Sequence, residues 1–384
     1  MRILHIYSDW KWTGPSEPIL NLCLGLKKHG HDVRLACLPA PFVCAPKKRI
    51  LPSVAMGKGI DPFIIKPNKL AKVIMLWQNT RRLLYYLKHN KIDIIHAHST
   101  FDHHLAGNLL NYISYRPKIV RTNHTGYPLT PSLRSKSLLS NSTDAYITFS
   151  ESLRQRDMKY FSEYKATITP DKTWAVGGAI NTTPFMSMGQ PNRELKARYG
   201  IVDDDVVVGI IARVQRHRRF HILLWAMARA LKEIPGLKLL ILGRGTYYKD
   251  ILVDPIKKLG LGNNVILSGY HISDYYDMIS LMDFGVYLVP GSDGSCRAVL
   301  ELMSSGKPVI AARRGILPDI IDDGRNGLVV DDRPDNLADA LVALAIDKEK
   351  RMQFGINARA KAIQEFSIEK QVDKIMGIYE KILR

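Results

Sequence analysis

The chain has 384 residues, 46% of them hydrophobic and 24% charged, the balance of a soluble globular protein with room for two domains of ordinary size. No apolar run reaches the roughly 18 residues a membrane-spanning helix needs, and a strand-like start at Arg2-Ile-Leu-His-Ile-Tyr7 argues against a signal peptide. The formal charge of +19 is lopsided: residues 1–190 hold 26 Lys/Arg against 11 Asp/Glu, whereas the remainder holds 29 against 25.

That asymmetry points the first half alone toward an anionic surface or polyanion, unless it is only a Lys-rich solvated face. The four cysteines, Cys23, Cys37, Cys44 and Cys296, have no metal-ligand spacing and suit a reducing cytoplasm.

In chain order, Arg2–Tyr7 reads as a strand, Pro18–His29 as a helix and Asp32–Cys37 as a second strand. Residues 40–69, with five prolines and Lys47-Lys-Arg49, break the rhythm and are expected to be a functional loop or partly disordered. A helix over Leu70–Asn90 follows, carrying Trp77, Arg81, Arg82, Tyr85, Tyr86 and Lys88. It reads either as a core-packed helix with a basic outer face or as a membrane-surface element. Ile92–Ala97, Lys118–Thr122 and Ala145–Phe149 are further strands.

After a polar linker the rhythm restarts with Val206–Ile211, Leu237–Leu242, Asn264–Leu267, Phe284–Val289, Pro308–Ala311 and Gly327–Val330. Strands alternating with helices predict parallel sheets covered on both faces, hence two Rossmann-like domains. The expected division is 1–185, a linker over 186–203, a second domain over 204–366 and a closing helix over 367–384 that packs back on the first domain.

The segment Phe284–Gly306 carries the most chemistry. An apolar strand ends in Pro290-Gly-Ser-Asp293, and a helical pattern starts at Ser295 and includes Glu301. Asp293 thus falls in a loop at a helix N-terminus, where the amides of Gly294, Ser295, Cys296 and Arg297 would meet an anion or a polyol. Cys296 reads first as a packing residue and only second as a thiolate nucleophile.

Two acids eight positions apart, followed by Leu302-Met-Ser-Ser-Gly-Lys-Pro-Val309, resemble the signature of the retaining GT-B glycosyltransferases of family 4. Gly14, Gly30-His-Asp-Val33, Asp93-Ile-Ile-His-Ala-His98, Thr122-Asn-His124, Gly178-Ala-Ile-Asn181 and Arg213 with Arg218 agree in order along the chain. The resemblance implies an α/β GT-B fold, two Rossmann-like domains with parallel sheets facing each other across a cleft. It also implies sugar transfer from a UDP- or GDP-sugar to an acceptor hydroxyl, in cell-envelope glycan, glycolipid or polysaccharide synthesis, with no cofactor and no metal.

Residue by residue, the resemblance places Glu301 on the nucleotide ribose and Asp293, one methylene shorter than the usual Glu, on the donor sugar. Arg213 and Arg218 would balance the diphosphate leaving group, Arg218 standing where Lys is usual. Gly14 would let the backbone approach a phosphate, although Pro15 removes an amide beside it. Gly243, Gly245 and Tyr270 are counted with the donor-binding residues. His124 is expected near the anomeric carbon, and Trp10, Trp12 and His98 form a weak acceptor set, with stacking by the two tryptophans.

The cluster His96, His98, His103 and His104 matches no metal spacing, and Asp203-Asp-Asp205 reads as a solvated turn before a strand. The expected partners are a nucleotide-sugar, a glycan or lipid-linked acceptor and an anionic membrane surface met by the basic first domain. The expected location is the cytoplasm, peripheral on the membrane face. The competing readings are a non-catalytic GT-B protein that binds a sugar nucleotide or glycan, a sugar-nucleotide epimerase, and a transferase acting on nucleic acid, against which no aromatic-interleaved basic motif appears.

Overall fold

The computed structural model describes residues 1–9, 14–38, 51–60, 62–64, 72–130, 132–165, 168–186, 191–291 and 294–384. They form two units. The first is Met1–Gly178 together with Gly294, Ser295 and Ile368–Arg384, and the second is Ala179–Gly291 with Cys296–Ser367.

The first unit is built on β1 (Arg2–Tyr7), β2 (Asp32–Cys37), β3 (Pro62–Ile64), β4 (Ile94–Ala97), β5 (Lys118–Thr122), β6 (Ala145–Thr148) and β7 (Thr173–Ala175). They lie in the order β3-β2-β1-β4-β5-β6-β7, and every pair is parallel. β4 and β6 are buried along their whole length, as strands covered on both faces must be. Chain order reverses between β1 and β4, which opens a crevice at their carboxyl ends, the usual ligand position in such sheets.

Residues 40–69 differ from expectation in their described part. They hold a helix, Leu51–Gly57, and the edge strand β3. Pro62 is tolerated there because it opens an edge strand and has no ladder hydrogen bond to lose on its outer side. The helices Ser16–Lys28 and Ile368–Leu383 cross closely: a Cβ on Gly25 would lie 2.4 Å from Cγ2 of Val372. Tyr379, Ile375 and Val372 of that last helix join the core under β1 and β2.

The second unit holds β8 (Val206–Ile211), β9 (Leu237–Leu242), β10 (Val265–Gly269), β11 (Phe284–Tyr287), β12 (Val309–Ala312) and β13 (Gly327–Val330). Their order is β10-β9-β8-β11-β12-β13, again all parallel. The reversal here lies between β8 and β11.

One local device recurs in both sheets. Asp93, Asp144 and Asp283 each stand just before a strand, and their carboxylates accept the N–H of Arg2, Ile119 and Val207 at 2.7, 2.9 and 2.7 Å. Each aspartate also donates its own N–H to the carbonyl of the same residue. The reciprocal pair sets the register of neighbouring strands at their amino ends and satisfies edge donors that burial would otherwise strand.

Candidate active site

In the second unit the loop after β8 presents the expected cations. Ala212 and Val214 continue the ladder by donating to Leu242 and Arg244 at 3.0 Å each, which turns Arg213 between them outward into solvent. Gly243 and Gly245 make this close approach possible, because a Cβ on either would fall 1.9 Å from the carbonyl oxygen of Ala212 or Val214. These glycines therefore act on the loop that holds Arg213. Arg213 makes no ion pair among the described residues.

Arg218 is anchored instead. Its Nη1 donates to the Tyr287 hydroxyl at 3.1 Å and to the Val289 carbonyl at 2.8 Å, both at the end of β11. Its Nε is buried with no partner among the described residues, an unspent donor of the kind that an anion can satisfy. Arg219 sits in the left-handed region at φ 60° and pairs with Asp332, which Arg314 also contacts at 2.7 Å. Tyr270 is 59% exposed, with the Arg244 guanidinium 4.4 Å from its ring centre.

The helix expected from Ser295 begins at Arg297 and runs to Ser304. Cys296 precedes it with φ 51°, an uncommon state for a residue with a Cβ, and its side chain is buried. Gly294, at φ 58°, and Ser295 pack with the first unit. A Cβ on Gly294 would lie 3.1 Å from the carbonyl oxygen of His124, and the Ser295 Cα would lie 3.3 Å from a Cβ on Gly178.

Glu301 is 7% exposed and already held at both oxygens. Tyr275 donates its hydroxyl to Oε2, and Arg297, one turn earlier, brings Nε to within 3.1 Å of Oε1. Burial and then the Glu301 charge push the Tyr275 hydroxyl well above its ordinary pKa, with Tyr287 adding to the rise. Arg218 and Tyr287 thus form one bonded pair and Tyr275, Glu301 and Arg297 a bonded trio, with Tyr287 near enough to Tyr275 to raise its pKa. The Arg297–Glu301 pair has i,i+4 spacing and could have been read from sequence; nothing local marks Tyr275.

In the first unit the helix Ser16–Lys28 starts after Gly14 at the carboxyl end of β1, with Pro15 at its N-cap. Beside it lies a pocket walled by Pro18, Ile19 and Phe149 and edged by His98, Thr122 and His124. Behind the pocket a line of imidazoles runs inward. His124 Nε2 lies 2.8 Å from His98 Nδ1, and His98 Nε2 lies 2.9 Å from His5 Nδ1. Both nitrogens of His98, the residue expected weakly at the acceptor, are therefore engaged by neighbouring rings while it lines the pocket. His5, in register with His96 across β1 and β4, was not expected at the site at all. Trp10, Trp12 and Asp293 lie outside the described residues.

Nitrogens of His5, His96 and His98 fall within 4.8 Å of one another, yet their geometry does not favour a metal. His96 is satisfied by the Tyr379 hydroxyl at 2.6 Å and Thr122 Oγ1 at 2.7 Å. The His96 and His98 rings stack at 4.3 Å, and His5 and His98 lie 11° from parallel, so their in-plane lone pairs do not converge. His103 and His104 point elsewhere, to Thr143 and Ser135. Burial lowers His5 and His124 to about 3 and takes His96, His98 and His103 well below the usual range. The fully buried Arg121 guanidinium, bonded to the Ala97 and Thr122 carbonyls, adds to this for all of them except His5.

Residues 191–361 match the family model described as Glycosyl transferases group 1, and residues 14–170 match that described as Glycosyltransferase Family 4. The chain is 26% identical to N-acetyl-alpha-D-glucosaminyl L-malate synthase of Bacillus anthracis over 296 residues, 76% of either chain. Among solved structures it resembles Alr3699/HepE of Anabaena in complex with UDP and glucose, with TM-score 0.77 and 17% identity over 99% of this chain and 100% of that one. It likewise resembles a glycosyltransferase from Rickettsia africae ESF-5, with TM-score 0.79 and 18% identity over 100% and 98%. Likeness at such low identity establishes the GT-B fold, and the two matching models establish the rest: the chain belongs to the group 1 glycosyltransferases, family 4, enzymes that transfer a sugar from a nucleotide-sugar donor.

Proposed function

We propose that the donor is a UDP- or GDP-sugar held by the second unit, and that its sugar passes to an acceptor hydroxyl with retention of anomeric configuration. The observation that carries this reading is the neighbouring pair of polar groups, Arg218 bonded to Tyr287 and Glu301 bonded to Tyr275 and Arg297, which Tyr287 and Tyr275 bring within electrostatic reach of each other. It offers guanidinium donors to a diphosphate and a fixed carboxylate to ribose hydroxyls. Arg213 and Arg218 stabilise the charge that grows on the diphosphate as the glycosidic bond breaks. The departing phosphate oxygen takes the proton of the acceptor hydroxyl, whose oxygen attacks the anomeric carbon from that same face. Asp293 orients the donor sugar, and His124 hydrogen-bonds a sugar hydroxyl.

The UDP and glucose of the Anabaena structure and the alpha-D-glucosaminyl product named for the B. anthracis relative support this choice. The route served is cell-envelope glycan, glycolipid or polysaccharide synthesis. Purified protein incubated with a panel of UDP- and GDP-hexoses and candidate acceptors is expected to release one nucleoside diphosphate and to form a product whose anomeric proton coupling matches the donor. An inverted product removes the same-face course, and absence of both binding and slow hydrolysis for every donor removes the donor assignment.

We also propose peripheral attachment of the basic first unit to an anionic membrane. No helix among the described residues is long and apolar enough to cross one. The helix Lys72–His89 buries Leu83 and Leu87 and exposes Arg81, Arg82, Tyr85 and Lys88, a face suited to acidic headgroups. Co-sedimentation with phosphatidylglycerol vesicles at low salt is expected, with release at high salt. Protein that stays in the supernatant at low salt rules the attachment out.

A further inference from the structure

The imidazole line behind the pocket has a direction, and that direction decides what His124 can do. Burial keeps the three rings neutral, with the fixed charge of Arg121 adding to it for His98 and His124, so each carries one ring proton. Two hydrogen bonds join the three rings in series, so all three protons must point the same way along the line. If they pointed inward, His5 would carry its proton on Nε2. That atom is buried and has no partner among the described residues, and an orphaned buried N–H is among the rarest and costliest features of a folded protein. If they point outward, His5 Nε2 is a bare lone pair, His5 Nδ1 donates to His98 Nε2, and His98 Nδ1 donates to His124 Nε2. The last proton then resides on His124 Nδ1.

We propose that His5 and His98 are positioning residues that hold His124 as its Nδ1–H tautomer, so that His124 serves the pocket as a hydrogen-bond donor and not as a base. The neighbouring groups do not compete for the line. His96 is bonded on both sides to Tyr379 and Thr122, and Phe149 meets His124 only by an aromatic edge contact at 5.4 Å. For His124 to take a proton at Nδ1, the whole line would have to reverse and bury an unpaired N–H at His5. His124 can therefore steady a sugar oxygen or developing negative charge, while deprotonation of the acceptor falls to another group, as in the same-face course proposed above. This inference rests on that reading for its catalytic meaning, but the tautomer can be measured without any substrate.

The experiment is long-range ¹H–¹⁵N correlation spectroscopy of the full chain with ¹⁵N-labelled histidine, which distinguishes the two neutral tautomers directly. Nδ1–H signals are expected for His5, His98 and His124. An Nε2–H signal for His124 overturns the proposal whatever the activity. If Nδ1–H is found but no nucleotide-sugar is used, the line stands and the functional reading falls.

Two variants add a kinetic check, with folding of each monitored by its melting. His5→Asn keeps a side-chain N–H for His98 and is expected to preserve the tautomer and kcat. His5→Leu removes it and is expected to mix the His124 tautomers and lower kcat about tenfold, the loss of one aligned hydrogen bond, with little change in donor KM. Equal losses in both variants, or an unchanged His124 tautomer in His5→Leu, also overturn the proposal.

Discussion

Lowering the pH from 7 to 5 is expected to unfold the first unit, before most carboxylates begin to titrate. His5, His96, His98, His103 and His124 are all depressed by burial, two of them to about 3. In the unfolded chain each returns to the ordinary value near 6.5. Between about 3 and 6.5 the unfolded state therefore binds more protons than the folded one, and stability falls as pH falls. At pH 5 the loss is about 2 kcal/mol for each of His5 and His124, roughly 4 kcal/mol together, and His96, His98 and His103 add to it in the same direction, against a total stability of roughly 5–15 kcal/mol for a typical domain. Asp102 works in the opposite sense, since burial raises its carboxyl, but it is one group against five. Thermal melts by circular dichroism across this range should show the transition collapsing between pH 6 and 5. A melting temperature that stays level from pH 7 to 5 would contradict the buried neutral line on which the tautomer argument depends.

How much of this was legible beforehand depended on the range of the interactions. Val206–Ile211 and Leu237–Leu242 were readable to the residue, since apolar runs broken only by Lys238 and largely buried on both faces announce themselves. The strand expected from Ile92 begins instead at Ile94, because Asp93 turns its carboxylate and amide to close the end of β1. The helix expected from Ser295 begins two residues later, because Cys296 takes a left-handed conformation that sequence marks only when glycine supplies it. Arg213, Arg218 and Glu301 were visible as types in a pattern. Their supporting partners were not, since Tyr287 and Tyr275 reach them across 69 and 26 residues. The histidine line was the least legible. Its contacts join His5 to His98 over 93 residues and His98 to His124 over 26, whereas the chain-local cluster of His96, His98, His103 and His104 sends its members to different neighbours.

Replacement of Arg218 by alanine is expected to lower kcat about 10²- to 10³-fold, the usual cost of removing one preorganised donor from developing charge. The side chain is fixed before any ligand arrives, with Nη1 bound to Tyr287 and Val289 and Nε buried without a partner among the described residues. Preorganisation of this kind favours the transition state over the ground state, because charge on the diphosphate rises as the bond breaks while the guanidinium need not move. The loss should therefore appear mainly in kcat, with a smaller rise in donor KM. Arg218→Lys keeps the charge but cannot span the Tyr287 hydroxyl and the Val289 carbonyl while also offering a fork to phosphate, so an intermediate rate is expected. Tyr287→Phe provides the control: it keeps Arg218 and its bond to Val289 but releases one tether, and should cost about tenfold by loosening the guanidinium. Steady-state kinetics with the donor identified by the panel would measure all three. If Arg218→Ala raised KM alone, its role would be uniform donor binding, and the burden of charge stabilisation would move to Arg213.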